Sequence, residues 1–424
     1  MMRPIRRLKD CCIIKPPKSE ARKALSEIDP VSFVPMSNLG INTKDIELNE
    51  DRALSAVSGS YTYFAEDDVL LAKITPCFEN GKLGIARGLT NGIGFGSSEF
   101  IVFRSKGEIL PDYLYYFLLR PTFRDLGKLA MTGAVGHKRV SKEFIENIEI
   151  PLPPLSEQKS IVALLDNTFA DIDKAHANAK QNLANSRELF ESSLKNIFQN
   201  KGAKWEKISL LELLERKWIT SHLDGNHGGN YPRKSEFLPS GIPYISAKCI
   251  INSNVDMRRA KFLSKEKAGT LSKGVAKNND VLFAHNATVG PVAILKTKEE
   301  KVILGTSLTY YRCNIEHIIP EYLAQYMVSY EFTSQYTTIM RQSTRNQVPI
   351  TKQREFIHII PPVNEQAQIA RELANLSKEL ERLEVIYKKK LAALEQLKSA
   401  LLHKAFTGQL TASTTEAATN GQTA

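Results

Sequence analysis

The second half of this chain repeats the plan of the first half. Residues 150–163 read IPLPPLSEQKSIVA, and residues 359–370 read IIPPVNEQAQIA. The matching residues, all separated by 208 positions, are Pro153 and Pro361, Pro154 and Pro362, Glu157 and Glu365, and Gln158 and Gln366. The same offset continues without a gap as far as Phe198 and Phe406. Internal duplication constrains a fold strongly, because each copy has to form a similar structure.

Weaker similarities precede each of these segments. DDVLLAK at 67–73 resembles NDVLFAH at 279–285, and FGSSEFIVFR at 95–104 resembles LGTSLTYYRC at 304–313. Their offsets are 212 and 209 positions, so only small insertions separate the copies. Each copy is therefore predicted to contain a globular part, a Pro-Pro hinge and a long helical part.

A long helix is predicted after each hinge, because two consecutive prolines cannot lie inside a helix. Ser156 and Asn364 are residue types that favour the N-cap position. Neither proline nor glycine follows until Gly202 in the first copy and Gly408 in the second. Each helix is expected to span about 45 residues, or roughly 65 Å at the rise of an α-helix.

The second helix carries an apolar stripe with steps of three and four residues, which is typical of a coiled coil. The predicted seam residues are Leu373, Leu376, Leu380, Leu383, Leu394, Leu397 and Leu401. A helix of this length with one apolar stripe is unstable alone in water. We expect the two helices to pair antiparallel; the alternative is that each helix folds back on its own globular part.

The globular parts are predicted to mix short buried strands, such as Val69–Ile74 and Val281–Ala284, with short helices opened by Pro111 and Pro320. The expected fold class is mixed α/β: two globular domains, each followed by a long helix, with the helices forming an antiparallel coiled coil of pseudo-twofold symmetry. The predicted boundaries are a first domain at 1–152, a helix at 153–201, a second domain at 202–360, a helix at 361–411 and a disordered tail at 412–424.

The chain is basic, with 57 Lys and Arg against 46 Asp and Glu, a formal net charge of +11 and a pI near 9.2. Such an excess favours a polyanionic partner such as nucleic acid; a basic but merely solvated surface is the alternative. The five cysteines have no metal-ligand spacing, and no run of apolar residues is long enough to span a membrane. The expected location is the cytoplasm, with reduced thiols and no bound metal.

Sequence motifs for catalysis are scarce. Gly81-Lys82 lacks the other residues of a phosphate-binding loop, and the Asn-Pro-Pro-aromatic signature of amino-methyltransferases is missing. Glu299-Glu300-Lys301 is interpreted as a solvated charge run rather than a nuclease fragment. His222 and His227 flank Asp224 in a polar loop, where a metal is possible but a plain surface loop is favoured. We therefore expect no catalytic centre.

Polar loops before each hinge contain the residue types that read DNA. Arg pairs with guanine and Asn or Gln with adenine, while Lys, Ser and Thr contact phosphates. The candidate residues are His137, Lys138 and Arg139 in the first copy, Arg341, Thr344, Arg345, Asn346 and Gln347 in the second, and Lys73, Asn80 and Lys82 in a further segment of the first. An ordinary polar loop is the alternative in each case.

The duplicated IPLPPLSEQKSIV segment, its partial copy IIPPVNEQAQIA and the ending LLHKAFTGQL resemble the conserved regions of type I restriction-modification specificity subunits. FAEDDVLLAKITPCFENGK and DGNHGGNYPR resemble the target-recognition domains of that family. The second hinge departs mildly from the full IPLPP motif. The base-reading loops vary in such proteins, so only the hinge and helix positions can be carried over from the family.

The resemblance implies that each domain reads one half of a split double-stranded DNA site and that the paired helices act as a spacer. It also implies that the hinge and helix regions dock two modification subunits, which use S-adenosylmethionine to methylate adenine. Restriction subunits that use ATP and Mg would complete the complex, and no cofactor would be bound by this chain. The alternatives are a stand-alone nuclease or methyltransferase, and a coiled-coil adaptor that binds only proteins.

Overall fold

The computed structural model describes residues 3–134, 136–199, 202–226, 231–341 and 346–410, except for the side chain of Arg341. The chain forms two compact units. Unit 1 comprises residues up to Lys180 together with those from Lys388 onward, and unit 2 comprises Gln181–Tyr387. The tail predicted to be disordered, 412–424, lies outside the described residues.

Among the described residues up to Lys180, unit 1 contains twelve short strands, the starts of seven helices, and two 3-10 turns at Met36–Asn38 and Thr90–Gly92. The strands are β1 Ile5–Arg7, β2 Cys12–Ile14, β3 Pro30–Val34, β4 Asp51–Ala53, β5 Thr62–Ala65, β6 Val69–Ala72, β7 Leu83–Ile85, β8 Ile93–Gly96, β9 Phe100–Ser105, β10 Met131–Thr132, β11 Arg139–Val140 and β12 Glu149–Pro151. The helices that begin in it are α1 Leu8–Cys11, α2 Ser19–Ala24, α3 Leu54–Val57, α4 Pro111–Leu119, α5 Pro121–Leu129, α6 Lys142–Asn147 and α7 Leu155–Gln199.

Unit 2 follows a similar order, with the two-stranded sheet β16-β17 in place of the two-stranded sheet β10-β11 of unit 1. Its strands are β13 Glu206–Ser209, β14 Ile219–Asp224, β15 Ile242–Ile245, β16 Ile250–Ile251, β17 Asn254–Val255, β18 Lys261–Leu263, β19 Val275–Ala276, β20 Val281–Asn286, β21 Thr288–Ile294, β22 Val302–Leu304, β23 Leu308–Cys313 and β24 Ile357–Ile360. Its helices are α8 Leu210–Glu215, α9 Lys265–Gly269, α10 Pro320–Tyr326, α11 Tyr330–Arg341, α12 Ile350–Gln353 and α13 Val363–Thr407, with 3-10 turns at Lys234–Glu236, Ala247–Cys249 and Met257–Arg259.

The sheet topology is the same in the two units. Unit 1 has an antiparallel sheet β2-β9-β6-β7 and a mixed sheet β4-β3-β8-β5, in which β3 and β8 are parallel. Unit 2 has the matching sheets β14-β23-β20-β21 and β18-β15-β22-β19, with β15 and β22 parallel. In each unit the first strand pairs with the strand before the hinge, β1 with β12 and β13 with β24. The predicted duplication and the mixed α/β class are confirmed.

The central strands form because they are apolar on both faces. Val69–Ala72 and Val281–Ala284 are buried at every position, which suits strands that have a sheet neighbour on each side and core above and below. Pro111 and Pro320 open α4 and α10 at the first helical turn, as predicted. All five cysteines are free thiols. None of the described helices combines the length and apolarity needed to cross a membrane.

The long helices have identical lengths. Both α7 and α13 span 45 residues, and their bounds differ by the repeat offset. The N-cap prediction is wrong by two residues: Ser156 and Asn364 lie inside the first turn. The first helical carbonyls belong to Pro154 and Pro362, which accept from the amides of Gln158 and Gln366 at 3.0 Å. The fixed φ of proline already suits a residue that introduces a helix.

Pairs of charged side chains show that the helices pair antiparallel. In unit 1, His176 lies 3.6 Å from Glu395, and Lys398 pairs with Asp173. In unit 2, Arg187 pairs with Glu384 at 2.8 Å. Residue numbers rise along α7 as they fall along α13, as the sequence predicts.

The predicted seam needs one correction. Leu373 is buried, and the other predicted leucines are half-buried, but Leu397 is 45% exposed. After the interruption at Lys390, steps of three and four residues run through Leu391, Leu394, Lys398 and Leu401. The stem of Lys398 takes the inward position, with its ammonium 5.2 Å from the centre of the Phe169 ring. A long lysine stem can cover apolar surface in this way while its charge stays paired.

Candidate nucleic-acid interface

The two polar segments predicted in the first copy lie side by side. The amide of Thr75 donates to the carbonyl of Lys138 at 3.0 Å, and the amide of Lys138 donates to Thr75 Oγ1 at 3.1 Å. The amide of Val140 donates to the carbonyl of Lys73 at 2.9 Å. The turn after β6 and the loop before the hinge therefore form one polar surface. We call it the reading surface of unit 1 (73–82, 132–134 and 136–140), after the role predicted for its residues.

The second copy has the same arrangement. The amide of Val348 donates to the carbonyl of His285 at 2.8 Å, and the amide of Ala287 donates to the carbonyl of Asn346 at 2.9 Å. Gln347 forms a β-bridge with Asn286. The reading surface of unit 2 thus comprises 286–290 and 346–348, and the buried His285 supports it from below. Of the other candidates in this loop, Thr344, Arg345 and the side chain of Arg341 lie outside the described residues.

A glutamate fixes two of the predicted cations in unit 1. Arg139 donates to both carboxylate oxygens of Glu99, at 2.9 and 2.7 Å, and lowers the pKa of that carboxyl. Lys73 Nζ lies 3.9 Å from the same carboxylate and donates to the carbonyl of Ser98 at 2.9 Å. Glu99 was not among the predicted residues, because no motif marks an acid that pairs across the fold.

The remaining candidates of unit 1 differ in exposure. Lys82 Nζ donates to the carbonyl of Met36 at 2.7 Å, so this lysine anchors a neighbouring turn. Asn80, His137 and Lys138 are exposed on the reading surface. These three side chains are the ones best placed to meet a partner.

The turn between β20 and β21 adds two residues that the sequence did not identify. Ala287 has a φ of +64°, a conformation that costs an alanine about 1 kcal/mol. Asn346 Nδ2 donates to the carbonyl of Ala287 at 3.3 Å and helps to hold it there. Asn286 lies beside Gln347, and Thr288 lies opposite Asn286 across the turn. The Asn-Ala-Thr turn between two apolar strands is the signal that would have found them.

A largely buried ion pair holds the start of the central strand in each unit. Arg104 Nη2 lies 2.6 Å from Asp68 Oδ2, and Arg312 Nη2 lies 2.7 Å from Asp280 Oδ2. Both aspartates are fully buried at the start of the central strand. The sequence contained the signal, since Asp and Arg occur in both pairs of similar segments.

The hinge glutamines are structural. Gln158 is fully buried; its Oε1 accepts from the amide of Leu110 at 2.9 Å, and its Nε2 donates to the carbonyls of Glu108 and Pro153, both at 2.9 Å. Gln366 makes the same three bonds, to Ile319 at 2.9 Å and to His317 and Pro361 at 2.8 Å. A buried amide satisfied by three backbone groups fixes the start of the long helix against the helix α4 or α10.

The hinge glutamates accept hydrogen bonds from a side chain one or two residues before the first strand of their unit. Glu157 accepts from Arg3 Nε at 2.9 Å, and Glu365 accepts from Trp205 Nε1 at 2.7 Å. Arg3 also donates to the carbonyl of Ala405, near the end of α13. In both copies the glutamate and the glutamine of the motif make contacts of the same kind, which explains why the motif contains this pair. Docking of other subunits at the hinge stays a prediction.

Three histidines lie beneath the reading surface of unit 2. His222 Nε2 is 3.1 Å from Gln353 Oε1, and His285 Nδ1 is 3.0 Å from the carbonyl of Val348. His358 is fully buried nearby, and its ring packs at a tilt against the rings of Phe332 and Tyr326. Within the described ranges, no group of three or more His, Cys, Asp or Glu is placed to hold a metal ion. His227, which was considered with His222, lies outside them.

Unit 2 is expected to lose stability in mild acid. Burial lowers the pKa of His222 and of His358 to about 4, and Arg354 and His285 add to the effect at His222. The unfolded chain binds these protons below pH 6.5, so stability is full above that pH and falls as the pH drops towards 4. At pH 5 the loss is about 2 kcal/mol for each histidine.

Tryptophan fluorescence in urea at pH 7 and pH 5 measures this loss, because both tryptophans, Trp205 and Trp218, lie in unit 2. His222→Gln should reduce the pH dependence by about half. The exposed His137→Gln should leave it unchanged. An equal pH dependence in all three proteins would contradict the assignment.

Comparisons with known proteins agree with this geometry. The family model described as "Type I restriction modification DNA specificity domain" matches residues 5–183 and again 203–391. The Escherichia coli type I restriction enzyme EcoEI specificity subunit is 34% identical over 42% of this chain and 31% of its own length. The EcoAI specificity subunit of the same organism is 35% identical over 46% and 32%. The chain therefore spans about a third of these two relatives.

A longer match is the MjaVIII specificity subunit of Methanocaldococcus jannaschii, which is 25% identical over 75% of this chain and 74% of its own. Two solved structures share the fold. One describes complex assembly and conformational transition of the type I R-M system, with a TM-score of 0.76, 18% identity and coverage of 96% and 98%. The other is the HsdS subunit from Thermoanaerobacter tengcongensis, with a TM-score of 0.63, 17% identity and coverage of 96% and 97%. Because the family model matches most of both copies, the chain belongs to the type I restriction-modification DNA specificity family.

Proposed function

We propose that this chain is the non-catalytic DNA-recognition subunit of a type I restriction-modification enzyme and that it reads a bipartite double-stranded site. One observation carries the proposal. In this member of the family, the two units have matching four-stranded sheets, and each unit carries its reading surface after the corresponding strand, β6 or β20. Since the side chains on the two surfaces differ, the two half-sites would differ in sequence.

The chemistry of the exposed side chains supports base reading. Unit 1 presents the exposed Asn80, His137 and Lys138, and unit 2 presents Asn286 and Gln347, which are half-buried. Amides pair with the edge of adenine, and cations contact guanine or phosphates. The net charge of +11 favours association with DNA.

The long helices are proposed to serve as spacer and docking surface. They leave apolar side chains exposed, Leu155 and Leu164 in unit 1 and Leu189, Val385 and Ile386 in unit 2. Exposed apolar side chains on a helix suit contacts with protein subunits. The partners would be two modification subunits, which carry S-adenosylmethionine and methylate adenine, and restriction subunits that use ATP and Mg in the cytoplasm.

Methylome sequencing of the host with and without the gene tests the function. One bipartite motif should lose its methylation when the gene is deleted. The competing function is that of a stand-alone nuclease or methyltransferase. Methyl transfer to DNA or cleavage of DNA by the purified chain without partners would favour it. An unchanged methylome in a host with active partner subunits would contradict the proposal.

The two reading surfaces should act independently. Replacing Asn286 and Gln347 with alanine removes two amides from unit 2 and should relax discrimination at one half-site by about 1–3 kcal/mol per base pair. The other half-site and the gap should stay as they are. The control is Asn254→Ala, an exposed amide that lies in unit 2 beside Ala370 of α13. Degeneracy in both half-sites would show that the surfaces are not separate readers.

A further inference from the structure

A cationic cleft adjoins the reading surface of unit 1. Its volume is about 460 Å³, within the range of sites that bind small groups. Four lysines line it: Lys15, Lys18, Lys73 and Lys142. Among the described residues that form its wall there is no carboxylate. Val140, the last residue of the reading surface, lines the same cleft, so the two are continuous.

The lysines are held in place by backbone groups. Lys18 Nζ donates to the carbonyl of Gly59 at 2.7 Å, and Lys73 Nζ to that of Ser98 at 2.9 Å. Lys15 is exposed at the mouth, with a φ of +60° that turns the chain there. Lys142 is largely exposed and pairs with Glu146 on its own helix.

The cations repel one another. Burial lowers the pKa of Lys18 and Lys73, and the charge of Lys15 lowers both further. Arg22 adds to the effect at Lys18, and Arg139 adds to it at Lys73, where Glu99 acts in the opposite direction. An anion in the cleft would relieve this repulsion, because it would interact with several fixed cations at once.

We propose that this cleft binds a phosphate group of the DNA backbone next to the half-site read by unit 1. The inference rests on the proposed function and adds a contact that carries no sequence information but fixes the register of the reading surface. This phosphate contact is proposed for the first copy alone, because the residue of the second copy that corresponds to Lys73 is His285, which is buried. Free inorganic phosphate carries the same charged group as the DNA backbone, and the test below distinguishes these two ligands.

The test uses the full chain assembled with the modification subunits of its system. Lys15→Gln with Lys18→Gln should weaken binding to specific and unrelated duplexes alike. It should also lower the slope of log affinity against log salt by about two. The charge-matched control is Lys9→Gln with Lys23→Gln, which are exposed and lie outside the cleft. Thermal unfolding checks that both variants are folded, and methylome sequencing should give the wild-type motif for both.

Three results would overturn the proposal: a salt slope equal to that of wild type, an equal change in the control, or a changed motif. Inorganic phosphate added at constant ionic strength tests the free source. If phosphate competes with DNA on wild type and less on the Lys15/Lys18 variant, the cleft is confirmed as a phosphate site. If phosphate binds there while the DNA slope is unchanged, the backbone assignment is wrong. Failure of the proposed function is distinct, since wild type would then show no sequence-specific binding at all.

Discussion

Replacing Asp280 with alanine is expected to destabilise unit 2 by about 3–5 kcal/mol, because it leaves a largely buried guanidinium without its carboxylate. Asp280 is 2% exposed and accepts two hydrogen bonds from Arg312, at 2.9 and 2.7 Å. It also accepts from the amide of Lys277 at 2.7 Å, so the turn that starts β20 loses its anchor as well. Tryptophan fluorescence in urea measures the unfolding of unit 2, because Trp205 and Trp218 both lie in this unit.

The control removes an exposed ion pair from the same unit. Lys352 and Glu355 are 2.9 Å apart and both more than half exposed, so Glu355→Ala should cost less than about 1 kcal/mol. Asp280→Leu combined with Arg312→Met should recover most of the lost stability, since a buried pair can be replaced by apolar side chains of similar volume. A loss below about 1 kcal/mol for Asp280→Ala would mean that water reaches the pair and compensates Arg312.

Asp68→Ala is expected to lower the free energy of unfolding of unit 1 by less than Asp280→Ala lowers that of unit 2. When Asp68 is removed, Arg104 keeps a second acidic partner in Glu20, whereas Arg312 keeps the carbonyl of Val275 at 3.0 Å. A remaining carboxylate neutralises a guanidinium better than a carbonyl does. The duplicated ion pair is therefore not equally important in its two copies.

The duplication explains why the architecture could be predicted from sequence. The hinge and helix segments keep the offset of 208 without a gap, and α7 and α13 have the same length. Local rules sufficed there, because proline excludes the helix before the hinge and glycine ends the uninterrupted stretch after it. The same rules misplaced the N-caps, since a proline carbonyl can begin the helix without a capping side chain.

The reading surfaces were only partly predictable. Residue type suggested Arg139 and Lys73, but their engagement by Glu99 depends on strands brought together by the fold. Lys82 was chosen for its charge, yet the carbonyl of Met36 holds it. Leu397 was chosen for its spacing, but Lys398 takes the inward position in that turn of the helix. In each case a tertiary contact decided between two roles that the residue type allowed equally.

The gap between half-sites should follow the length of the paired helices, if the proposed function holds. Four residues added to each helix lengthen it by about one turn, or roughly 6 Å. That is about two base pairs of B-DNA at 3.4 Å each. The insertion points are after Lys180 and after Tyr387, where the two units meet along the sequence. The ion pairs Asp173–Lys398 and Arg187–Glu384 each stay within their own unit.

Methylome sequencing of a strain with the double insertion should show the same half-site sequences separated by one or two more base pairs. The half-sites persist because the reading surfaces are unchanged, whereas affinity falls because the added twist of about 35° per base pair has to be absorbed by bending. Four residues inserted after Glu300, in an exposed loop of unit 2, add the same length outside the helices and should leave the gap unchanged. An active double insertion with the original gap would mean that the helices do not set the spacing. New bases in either half-site would mean that the insertion displaced a reading surface, so that spacing and reading are not separable in this chain.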